Sequence, residues 1–167
     1  MRHRSLVGMN APRRRAAARG LAVLIAAAAG GLLAGCSAIV ALEPAADAAS
    51  PACAAVSVRL PDAIADLPGR ETNAQGTGAW GDPTAVVLHC GVPAPPPTSE
   101  LICVTPPGGA VDWLRDDTDA PTYLFTSYGR TPAVSVAIDN NVVGGATVLD
   151  ALDDAVAQLP KDGECLG

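Results

Sequence analysis

The chain has 167 residues and a formal charge of −6, with 49 % apolar but only 3 % aromatic residues. That length suits one domain plus a leader, and the acidic balance excludes nucleic acid as a partner. Lone acidic domains of this kind must build their core from Val, Leu, Ile and Ala, so covalent staples would help them.

The opening residues carry Arg13, Arg14, Arg15 and Arg19, followed by an apolar run over 21–33 and then Ala34-Gly35-Cys36. A basic n-region, a short apolar h-region and small residues predict a secretory signal peptide over residues 1–35, initiated at Met1 or Met9. The run is shorter than the ~20 residues a membrane-spanning helix needs. Leu33-Ala34-Gly35-Cys36 resembles a bacterial lipobox, whose cysteine is lipidated and becomes the new N-terminus. Cys36 is therefore the expected lipidation site, carrying fatty acyl chains such as palmitate. The protein is then expected at the outer face of the cytoplasmic membrane, with the membrane as a partner through that lipid. Cleavage would leave five basic residues (Arg59, Arg70, Arg115, Arg130, Lys161) against all 17 acidic ones, a formal charge of −12.

Residues 36–50 read as a lipid-anchored flexible tether, Ala-rich and without an apolar period. Residues 51–167 form the expected single domain. Ser50-Pro51 has the form of a helix start, and Cys53, Val56, Leu60, Ile64 and Leu67 follow at helical spacings, with Pro61 as a kink or a break. Residues 69–82 read as a long polar loop. Gly76, Gly78 and Gly81 match G-x-G-x-x-G there, but no strand precedes them and no helix follows, so a dinucleotide site is rejected. Strands are expected over 84–90, 101–105, 111–114, 123–128 and 133–139, the last with clean alternation of Val134, Val136 and Ile138. Thr147-x-x-Asp150 reads as a capping box for a final helix whose apolar face is Val148, Leu152, Val156 and Leu159. The expected class is α+β: an antiparallel sheet of about five strands with an N-terminal and a C-terminal helix packed on one face.

Several stretches together carry a family likeness. They are the Cys53 helix ending in Leu67-Pro68, Ala79-Trp80-Gly81-Asp82-Pro83, and Val86-Val87-Leu88-His89-Cys90-Gly91-Val92-Pro93. Val111-Asp112-Trp113-Leu114, Gly129-Arg130-Thr131-Pro132 and Leu159-Pro160 complete the set. With these the chain resembles, over roughly 53–160, the actinobacterial envelope lipoproteins catalogued as domain of unknown function 3515. The resemblance implies location and fold and brings no activity, cofactor or catalytic residues.

Chemistry is sparse. His89 is the sole histidine after signal removal, with no nucleophile elbow or partner, and reads as a surface or satisfied structural residue. No catalytic residue, metal site or cofactor is expected. Asp116-Asp117-x-Asp119 lacks the glycine and glutamate of a calcium loop and reads as a solvated turn. Trp80 is either a lid on the core or a ligand anchor beside Asp82, and Arg130 is expected to pair with Asp82 or Asp112. Trp80, Asp82, Trp113 and Arg130 are thus the candidate binding residues. The leading expectation is a non-catalytic binding or scaffold module, with an envelope protein or wall component as its partner. The alternative is an enzyme acting on wall precursors or peptides through carboxylates near Trp80 and Trp113.

Export places the remaining four cysteines in an oxidising compartment, so two disulfides are expected. Cys90–Cys103, across consecutive strands, with Cys53–Cys165 is the preferred pairing. Cys53–Cys90 with Cys103–Cys165 is the alternative if the first helix packs beside the first strand.

Overall fold

The computed structural model describes residues 38–165, so Cys36 and the expected signal peptide lie outside the described residues. The first helix, α1 (Pro51–Ser57), starts as its sequence dictates: Pro51 fits the first turn and the Ser50 hydroxyl accepts from the Cys53 amide at 3.2 Å. It is seven residues long and ends before Pro61, whereas the helical spacing of apolar residues runs on to Leu67. Past Ser57 the chain turns into a tight hairpin of β1 (Ala63–Ile64) and β2 (Leu67–Arg70). Ile64 is still buried, and Leu60 and Leu67 still pack on the core. The burial expected of the stripe is real, but after Pro61 short strands deliver it.

The expected loop over 69–82 contains the end of β2 and all of β3 (Thr77–Trp80). Then come β4 (Val86–Val92), β5 (Ile102–Val104), β6 (Asp112–Asp116), β7 (Thr122–Tyr128) and β8 (Ala133–Asp139). All eight strands form one antiparallel sheet, in the order β1-β2-β3-β4-β8-β7-β6-β5. The sheet therefore has eight strands where about five are expected, because a hairpin and a Gly-rich strand are added at its first edge. The proline-rich link after β4 carries the chain to the far edge, and the β5–β8 meander walks back until β8 pairs with β4. The second helix, α2 (Gly145–Val156), is capped by the backbone of Gly144, so Thr147 lies inside it and makes no capping box.

One sheet face carries Trp80, Val86, Leu88, Cys90, Trp113, Phe125, Val134, Val136 and Ile138. These pack with Cys53 and Val56 of α1 and with Val148, Leu149, Leu152 and Val156 of α2 in a single buried cluster. On the opposite face His89 lies between Thr77 and Ser135, half-buried.

The disulfides are Cys53–Cys90 and Cys103–Cys165, with Cα separations of 5.6 and 6.3 Å. The preferred pairing is overturned and the alternative is the one formed. Its physical reason is strand order. β4 and β5 are consecutive in sequence but four strand spacings apart, about 19 Å. That is far beyond the ~7 Å a disulfide can bridge between α-carbons.

Residues 38–50 are also not a free tether. Val40 forms a parallel bridge with Thr72, the Val40 amide donating to the Glu71 carbonyl at 2.9 Å. The Leu42 amide donates to Asn73 Oδ1 at 2.7 Å, and the Asp47 amide to the Gly91 carbonyl at 3.0 Å. Ala48 is buried against Gly91 and Gly76. The domain thus begins before Ser50.

Candidate functional site

The four candidate binding residues are not brought together. Trp80 ends β3, is 2 % exposed, and donates from Nε1 to the Pro61 carbonyl at 2.9 Å. Its ring lies back over Gly78, where a β-carbon would come within 2.7 Å of Cη2. Of the two roles open to Trp80 in the sequence, the structure gives it the lid on the core.

Asp82 stands in the turn after β3, 73 % exposed, with Oδ1 3.2 Å from Arg70 Nη1. Arg70, which sequence reasoning passed over, is the better-embedded partner. Its side chain is 9 % exposed and also donates to the carbonyls of Gly81 and Ala38. Such a pair, with its carboxylate in water, adds little stability.

Arg130 pairs with neither Asp82 nor Asp112. It is 5 % exposed and its guanidinium donates to the carbonyls of Leu159 (2.6 Å), Ala157 (3.2 Å) and Ala110 (2.8 Å). Two of those carbonyls belong to the last turn after α2, where helix carbonyls lack intrahelical partners and a cation is favoured. Asp112 is occupied elsewhere: Oδ1 accepts from Thr105 Oγ1 at 2.5 Å and Oδ2 from the Cys165 amide at 2.9 Å. Trp113 is fully buried, and its Nε1 has no hydrogen-bond partner among the described residues.

Asp82 and Asp112 occupy opposite corners of the sheet. Trp80 is in register with Val86, Ile138 and Tyr123, whereas Asp112 faces Tyr128. Four strand spacings across and five residues along put Trp80 about 25 Å from Asp112, and Asp82 lies in the turn beyond Trp80. The two carboxylates cannot share a substrate as a general acid and base, which need contact with the same reacting groups.

A concavity lies elsewhere. Val104, Phe125, Tyr123 and Leu149 line a largely apolar cavity of about 280 Å³ between the β5–β6 turn, β7 and the start of α2. The Arg115 guanidinium sits at its wall, 5.8 Å from the Tyr123 ring centroid, with Nη2 3.1 Å from Asp117. Arg115 Nε is buried and has no partner among the described residues. The volume is at the small end for ligand sites. The sequence signal, Arg115 and Tyr123 on one face of neighbouring strands, becomes readable only once the β6–β7 register is known.

The family described as protein of unknown function (DUF3515) matches residues 16–163. The chain belongs to that family. No curated protein and no solved structure matches it at a significant level. The match spans both helices and all eight strands of the described residues, so the sheet described above is that of a DUF3515 domain.

In this DUF3515 chain the acidic run over 116–119 leaves the end of β6 and enters a turn. Asp116 Oδ1 accepts from the amide and hydroxyl of Thr118, and these bonds, the hydroxyl first, hold its carboxyl below the ordinary carboxylate range. Asp117 is paired with Arg115. Among the described residues no three of His, Cys, Asp or Glu converge as a metal site would require. No helix of the described residues is long and apolar enough to cross a membrane.

Proposed function

We propose that this protein is an extracytoplasmic envelope lipoprotein, of the actinobacterial kind its motifs resemble, and that its domain is a non-catalytic binding or scaffold module. The observation that carries the reading is the use of cysteine. Four of the five are joined in two disulfides, one of them wholly buried, as suits an oxidising compartment. The fifth is Cys36, behind small residues at the end of an apolar run. A thiol there is an acyl acceptor, and each buried methylene of an acyl chain contributes ~0.8 kcal/mol, so two or more chains anchor the protein durably.

The non-catalytic part is supported by how the candidate residues are engaged. Trp80, Trp113 and Arg130 are built into the core or its edge, and Asp112 fastens the C-terminal segment. The cavity beside Arg115 and Tyr123 is the surface best suited to a small contact with an envelope component.

The test is fractionation together with the mass of the N-terminal peptide. Wild-type protein should stay with membranes through salt washing and yield an acylated peptide starting at Cys36. Cys36→Ala should be released. A variant that stays membrane-bound, or an unmodified Cys36 peptide from the wild type, would sink the reading.

A further inference from the structure

Resting on the lipid anchor proposed above, we infer that the domain stands directly on the bilayer in one orientation, with the corner of the sheet where residues 38–42 dock beside the end of β2 against the headgroups. The observation is how residues 38–42 are held. The Ala38 carbonyl accepts from Arg70 Nη2 at 2.7 Å, and that side chain is itself fixed on Gly81 and Asp82. Val40 extends the sheet beside Thr72, and Leu42 is held by Asn73. Only Ser37 separates the acylated residue from Ala38 in the sequence. Two residues of chain reach at most ~7 Å.

A free tether over 37–50 would behave differently. Fourteen flexible residues have a root-mean-square span of about 20 Å, enough for the domain to tumble above the membrane. Docking of 38–48 removes that freedom. The remaining leash is shorter than the ~8 Å screening length at physiological salt, so the acidic surface cannot move clear of anionic headgroups. Repulsion can tilt the domain, but the corner at the end of β2 stays at the lipid. Ile39, 58 % exposed beside Ala38, is the apolar side chain placed to meet the interface.

The sheet order fixes what points away. From β2 to β5 are six strand spacings, about 29 Å, and β5 forms the opposite edge. Ile102 on that edge is exposed, and the cavity lined by Val104, Arg115 and Tyr123 lies next to it. The bilayer therefore takes one corner of the sheet, and the β5 edge is offered outward.

The full acylated protein, reconstituted in phosphatidylcholine–phosphatidylglycerol vesicles holding a nitroxide-headgroup lipid, gives the test. A fluorescent amino acid replaces either Glu71, exposed beside the docked segment, or Glu100, exposed before β5. Emission at position 71 should be quenched several-fold more than at position 100. A Gly/Ser insert of about twenty residues between Ser37 and Ala38, with a span of about 25 Å, should abolish that difference while leaving vesicle flotation intact. Equal quenching at both positions in protein that floats would overturn the orientation alone. Protein that does not float would overturn the anchor, and the orientation with it.

Discussion

The backbone of Ala48 lies directly on the α-carbon of Gly91, which interrupts β4 with a φ of +99°. A side chain at position 91 would occupy the space of the Ala48 amide, and the left-handed φ disfavours it as well. Gly91→Ala should therefore cost about 2–4 kcal/mol. It should also free the segment before Ser50, since the Asp47 amide bonds to the Gly91 carbonyl. Urea denaturation and limited proteolysis between residues 42 and 50 measure the two effects. An unchanged midpoint with no new cleavage would show that the segment is not seated there.

Arg130 holds the end of α2 and the start of β6 through three carbonyls rather than through a carboxylate. Truncation strands those acceptors at a buried site, where each charge-assisted bond is worth ~1.5–3 kcal/mol. Arg130→Ala should lower stability by about 3 kcal/mol or more. Arg130→Lys should recover less than half, because one ammonium cannot fork between Ala110 and Leu159. Equilibrium unfolding of the two variants checks this. Near-equal stability of the Arg130→Lys variant and the wild type would refute the forked role.

Much of the fold is legible where side chains alternate, and little of it where glycine replaces them. The strand over Ala133–Asp139 matches its expected bounds because Val134, Val136 and Ile138 face the core in strict alternation. β3 escapes because the space beside Trp80 on its core face is filled by the tryptophan's own ring, leaving room only for Gly78. Its glycine is thus a packing requirement that reads as a loop. The stripe from Cys53 to Leu67 marks real burial, yet spacings of three and four suit a helix, and also a turn followed by short strands. The disulfide pairing depends on strand order, and a proline-rich link gives no hint that it crosses to the far edge of the sheet. The candidate site is least legible of all. Trp80, Trp113 and Arg130 stand out by residue type, but their chemistry is used inside the fold.

Asp116 offers a local pH signature. Its carboxylate is stabilised by the Thr118 hydroxyl and amide, so its folded pKa lies below the ordinary range. A depressed carboxylate contributes stability that is present above the unfolded pKa and lost as pH falls through the folded one. The turn should therefore loosen only at pH values below the usual carboxylate titration. Thr118→Val removes the larger cause and should raise the Asp116 pKa, as followed by carbon-13 NMR of the carboxyl. A titration unmoved by that change would leave the hydroxyl without a role.

The two disulfides should differ in what they hold and in how readily they open. Sequence separations of 37 and 62 give chain-entropy terms of about 4 kcal/mol each, so loop length does not rank them. Burial does. Cys53 and Cys90 are fully buried and staple α1 to the core face, while Cys103 and Cys165 are half-buried and fasten the C-terminal segment to β5 on the other face. Replacing Cys53 and Cys90 by Ala should cost a further ~1–2 kcal/mol for the cavity left in the core. Replacing Cys103 and Cys165 should release the C-terminus, whose amide at 165 then loses its place on Asp112. Under a graded reductant Cys103 and Cys165 should be alkylated first, because reduction needs access to the sulfur. Peptide mapping of partly reduced protein reads the order, and a fragment joining Cys90 to Cys103, or earlier labelling of Cys53, would contradict it.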